Sequence, residues 1–102
     1  MLPLIEQHRQ EIDSLCRKHG VRRLELFGSA ARGDFNPQTS DLDFIVEFAN
    51  YAARSLADQW FGLQEDLEML FGVKVELVSA RTATNPYFLE TVNRDKVTLF
   101  AA

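Results

Sequence analysis

The sequence predicts an α/β fold, and three observations carry that expectation. Short alternating apolar runs at 21–27, 41–48 and 73–79 read as strands. Stretches 3–19 and 55–71 repeat their apolar residues at helical spacing. The second strand, the second long helix and the third strand follow one another directly, an order that normally closes a right-handed parallel crossover. Strands 41–48 and 73–79 are therefore expected in one sheet. At 102 residues with 46% hydrophobic content, the chain is expected to be one domain, 1–102, around one core.

Each element has its own signals. In 3–19, Ile5, Ile12, Leu15 and Cys16 fall near one face, Pro3 suits the first turn and Gly20 the stop. His8 and His19 are expected at the surface or boundary, and two histidines eleven apart make a poor metal pair. In 21–27, Leu24 and Leu26 share one face, and Arg23, Glu25 and Phe27 the other. Arg22 and Arg23 read as solvated charges. In 55–71, Leu56, Trp60, Leu63, Leu67 and Leu70 form a core stripe, Ser55 and Asp58 match a capping box, and Gly72 marks the end. Phe61 and Met69 lie partly off that stripe, where they either widen the core face or meet a partner. Asn85-Pro86 opens a final helix with Tyr87, Phe88, Leu89 and Val92 as its apolar positions, and 96–100 closes the chain as a short strand.

Composition narrows the function. A formal net charge of −4 argues against a surface built to hold long nucleic acid. A small phosphorylated ligand held through a metal stays compatible. Cys16 is the single cysteine, so no internal disulfide forms, which fits a reducing compartment. Glu6, His8 and Arg9 argue against a signal peptide, and no apolar run approaches membrane-spanning length. A cytoplasmic location with no membrane partner is expected.

The stretch 26–47, LFGSAARGDFNPQTSDLDFIVE, carries the chemistry. Gly28-Ser29 follows a strand directly, and Ala30-Ala31-Arg32 starts a short helix. Backbone N–H groups and the Ser29 hydroxyl at such a turn can hold phosphate oxygens, and Gly28 permits close approach. Asp41 and Asp43, two apart on a strand, point to one face. Paired carboxylates repel unless a cation lies between them, and a divalent ion with hard oxygen ligands is the natural one. An acidic strand start facing water is the competing reading. If the parallel crossover forms, Glu76 projects beside Asp41 and Asp43; on its own it is equally an outward glutamate on an alternating strand. The polar loop 33–40 lies between the two halves of the candidate site.

GSAARG followed by SDLD after an apolar strand resembles the signature of the nucleotidyltransferase superfamily. The small size, the leading helix and the closing NPYF…VTLF segment are similar to the minimal nucleotidyltransferases, commonly the antitoxin half of a pair with a HEPN ribonuclease toxin. The resemblance implies a mixed sheet flanked by helices, ATP as donor and Mg²⁺, as two ions, as cofactor. It implies transfer of AMP to a tyrosine hydroxyl of the HEPN toxin with release of pyrophosphate. By position, Gly28 and Ser29 hold the triphosphate, Asp41 and Asp43 hold metal, and Glu76 stands as the third carboxylate, binding metal or accepting the hydroxyl proton. Arg32 is suited to neutralising phosphate charge, with a surface ion pair as the competing reading.

Two departures from the family pattern stand out. Eleven residues separate Ser29 from Asp41, one more than is commonest in the minimal group, and Glu76 stands where aspartate is more usual. The alternative is a non-enzymatic antitoxin that binds and masks the toxin. Transfer to a small molecule or nucleic acid ranks third, because so short a chain needs a partner or a homo-oligomer to supply the acceptor site.

Overall fold

The computed structural model describes residues 3–33, 36, 38, 41–49, 55–80 and 84–102. In chain order these form α1 (Pro3–Gln7), α2 (Arg9–Lys18), β1 (Val21–Phe27), α3 (Ser29–Arg32), β2 (Leu42–Phe48), α4 (Leu56–Phe71), β3 (Val75–Ser79), α5 (Pro86–Asp95) and β4 (Val97–Ala101). The strands make one mixed sheet in the order β3-β2-β1-β4. β1 is antiparallel to β2 and to β4, while β2 and β3 run parallel. The expected crossover is present, with α4 as its helix, and the mixed sheet flanked by helices is as the resemblance implied.

Alternation explains which face is buried. Leu24 and Leu26 of β1, Leu42, Phe44 and Val46 of β2, and Val75 and Leu77 of β3 point into one core. Ile5, Ile12 and Cys16 from α1 and α2, and Leu63, Leu67 and Phe71 from α4, close that core from the helix side. Cys16 is a free thiol there; burial, and then the charge of Asp13, push its pKa up to about 12. The opposite face of the sheet is covered in part by α5, whose Phe88 ring meets Phe27 edge-on at 5.4 Å. Ile45 and Val92 are buried outside the main core.

Several expectations need correction. The leading helix is two helices, broken at a turn where His8 packs edge-on against Phe71. Leu56 is 64% exposed rather than core, because it occupies the first helical position, one residue after the Ser55 cap. In its place Gln59 is buried, donating to the His19 carbonyl at 3.0 Å. Phe61 and Met69 are exposed, so neither widens the core. Tyr87, read as an apolar position of α5, is exposed as well. Glu25, on the face it shares with Arg23 and Phe27, is 6% exposed and is met by Lys96 at 3.3 Å and the Thr98 hydroxyl at 3.2 Å.

His19 is 4% exposed, not at the surface. Its Nε2 lies 2.6 Å from Asp66 Oδ2, an arrangement that assigns the proton to Nε2 as donor. Hydrogen bonds from His19 and Lys18 hold the Asp66 carboxyl below its ordinary range. The ring packs so close to α4 that a Cβ at Gly62 would come 2.8 Å from His19 Cε1 and 3.1 Å from Nδ1. A Gly62→Ala variant is therefore expected to lose about 1–2 kcal/mol in urea denaturation. The overpacking of a buried ring outweighs the ~1 kcal/mol gain in helix propensity.

Candidate functional site

The site begins at the end of β1. Gly28 adopts φ 75° and ψ −153°, a conformation essentially restricted to glycine, and turns the chain into α3. Its carbonyl accepts from the Ala31 and Arg32 N–H groups, each at 3.1 Å, which fixes the short helix against the strand end. Phe27 pairs with Asp43 in the antiparallel register, so the turn sits directly over the start of β2. A Cβ on Gly28 would collide with the Asp43 carboxylate. The close approach expected of Gly28 is made, in the fold, to Asp43.

Asp43 in turn pairs with Glu76 in the parallel register of β2 and β3. The two carboxyls face each other, and Glu76 favours the protonated form of Asp43 both by its charge and as a hydrogen-bond partner. Burial, then the facing Glu76, then Asp41 push the Asp43 pKa up to about 6, and the positive charge of Arg32 opposes them. Four side chains therefore act on one point: Asp41 just ahead of β2, Asp43 on β2, Glu76 on β3 and Arg32 on α3. Asp41 lies at the edge of the group, with Lys74 Nζ 4.0 Å from its Oδ2. Among the described residues no three His, Cys, Asp or Glu side chains are placed to ligate one ion as they stand. The donor set nevertheless suits a hard cation, because a positive ion would relieve the repulsion between the facing carboxyls of Asp43 and Glu76.

The position of Glu76 is set by residues that sequence reasoning passed over. Gln64 of α4 donates to the Val75 carbonyl at 3.0 Å, and the Val75 N–H donates to Glu68 at 3.0 Å. The two side chains, one helical turn apart, hold both backbone groups of Val75, the residue just before Glu76. The signal was present as a polar i, i+4 pair beside the apolar stripe. Arg22 and Arg23, read as solvated, sit 3.7 Å and 3.8 Å from Glu47 and Glu25 respectively. The loop 33–40 lies mostly outside the described residues; within it, Gln38 N–H donates to the Asn36 side chain at 2.9 Å. Among the described residues no helix is long and apolar enough to cross a membrane.

A family model described as a nucleotidyltransferase domain matches residues 8–99. The chain is 35% identical over 97 residues to a provisionally named protein adenylyltransferase of Methanocaldococcus jannaschii, covering 85% of this chain and 93% of that one. It is 31% identical over 94 residues to the protein adenylyltransferase MntA of Thermococcus cleftensis, covering 92% and 87%. A solved structure of a provisionally named minimal nucleotidyltransferase superposes with a TM-score of 0.74 at 37% identity, covering 94% of this chain and 95% of that chain. The fold also recurs in a complex of tri-AMPylated Shewanella oneidensis HEPN toxin with MNT antitoxin, with a TM-score of 0.64 at 20% identity over 95% of this chain and 72% of that chain.

Proposed function

The chain belongs to the nucleotidyltransferase family, in its minimal protein adenylyltransferase branch, and from that premise we propose that residues 1–102 act as a single antitoxin domain that transfers AMP from ATP to a tyrosine hydroxyl of a HEPN-type toxin. The reading rests above all on the juxtaposition of Asp43 and Glu76, two carboxyls from separate strands brought within hydrogen-bonding reach beside a glycine turn.

In this reading Gly28 and Ser29 present the strand-to-helix turn to the triphosphate, and Arg32 offsets its charge. Asp41 and Asp43 would hold Mg²⁺, two ions in the usual arrangement, which when bound supplies neutralisation of the phosphate oxygens. Glu76 accepts the proton of the attacking hydroxyl. The tyrosine oxygen bonds to the α-phosphorus, the bond to the bridging oxygen breaks, and pyrophosphate leaves with its electron pair. The chain contributes alignment and charge, which is most of what phosphoryl chemistry needs from a protein.

The direct test is mass spectrometry of the co-purified partner before and after incubation with ATP and Mg²⁺. The partner is expected to gain one or more adenylyl groups on tyrosine. A tightly bound partner that gains none, together with no calorimetric ATP binding at millimolar concentration, would mean that the chain only masks its toxin.

A further inference from the structure

The geometry points to Lys74 as an interlock between nucleotide and metal binding, holding Asp41 in the ligand-free chain and passing to the nucleotide's phosphates when a divalent cation takes Asp41. This inference rests on the adenylyltransferase reading above and concerns how that same site loads.

The strand register creates the arrangement. Leu42 pairs with Val75, and the Leu42 N–H donates to the Lys74 carbonyl at 3.0 Å. The preceding residues, Asp41 and Lys74, are thereby set side by side. Asp41 lies two residues before Asp43 and Lys74 two before Glu76, each one residue ahead of its strand, so the two pairs are neighbours where β2 and β3 begin. That end of the sheet carries one like-charged pair, Asp43 with Glu76, and one opposite-charged pair, Asp41 with Lys74.

One carboxylate cannot serve an ammonium and a divalent ion equally well, because the two cations repel at that range. Metal binding at Asp41 therefore displaces Lys74. The lysine can leave cheaply. Its side chain is 73% exposed, its stem is flexible, and the α4 clamp on Val75 holds the backbone while the side chain swings. In the adenylyltransferase reading, the anion beside this pair is the nucleotide's triphosphate. Nucleotide draws Lys74 from Asp41 and frees the carboxylate for metal; metal frees Lys74 for nucleotide. By linkage the two effects are equal in size.

The test measures Mn²⁺ binding to the full chain by electron paramagnetic resonance, with and without a non-hydrolysable ATP analogue. Lys74→Met is expected to bind Mn²⁺ alone about two- to fivefold more tightly than wild type, the range an ion pair this exposed sustains. The tightening caused by nucleotide should shrink by a similar factor. Lys74→Arg should restore wild-type behaviour, and Lys74→Met should change nothing when Asp41 is already asparagine. Equal or weaker Mn²⁺ binding by Lys74→Met, or unchanged coupling, overturns the interlock. If wild type still adenylylates its partner, the proposed function survives that failure. A wild-type chain that binds neither Mn²⁺ nor nucleotide removes both.

Discussion

A Gly28→Ala variant is expected to lose roughly 2–5 kcal/mol of stability and nearly all transfer activity. Two independent costs act at this position. The backbone, at φ 75° and ψ −153°, is in a region where any Cβ is strained. The new methyl would also collide with the Asp43 carboxylate, the most perturbed acid of the site. Relief requires Asp43 to move or β1 and β2 to part at their paired ends, and either displaces a carboxylate that must be placed to fractions of an ångström. Gly72→Ala is the matched control: its φ of 68° is also positive, but nothing lies within 4 Å of the added Cβ. It is expected to lose about 1 kcal/mol and to keep its activity. Chemical denaturation and labelled-AMP transfer, run on both variants, separate strain from collision.

Replacing Asp41 and Asp43 together by asparagine is expected to reduce AMP transfer by at least on the order of 10³-fold, because both charges that would hold Mg²⁺ are gone. Full transfer by that variant would falsify the assignment of the site. The same chemistry makes an opposite prediction for stability. The folded Asp43 pKa is raised from 3.8 to about 6, so the folded state holds its proton more tightly than the unfolded state does. The stability tied to that proton is complete below about pH 4 and is lost as pH rises through about 6. Asparagine has no charge to bury. In a chelator, Asp43→Asn should melt above wild type at pH 7–8, and the gap should close below pH 4. A gap that stays constant across this range would show that Asp43 carries no such penalty. Activity and stability thus pull against each other at one side chain.

The strands, the crossover and the meeting of Asp43 with Glu76 were legible because they follow from local alternation and a handedness rule. The Phe27, Gly28 and Asp43 juxtaposition was half legible: the glycine announced a close approach but not its target. What escaped reading depends on contacts distant along the chain. His19 is buried by Asp66 and Gly62, more than 40 residues away, and nothing near His19 signals it. Glu25 is buried because Lys96 and Thr98 reach it from the last helix boundary and strand, which its own alternation does not announce. Leu56 matched the helical period yet stayed outside, since periodicity places a residue on a face without saying how far the core extends along it. The pairing of Lys74 with Asp41 depends on register, which alternation alone does not supply.

The lone thiol of Cys16 sits beneath the helix layer with its pKa pushed up to about 12. At neutral pH it offers almost no nucleophilic sulfur, and none that a reagent can reach while the layer is closed. Alkylation can proceed only when α2 lifts from the sheet, so its rate reports how often that lifting occurs. The chain carries its own stopwatch for breathing of the core, on the side of the sheet remote from the chemistry.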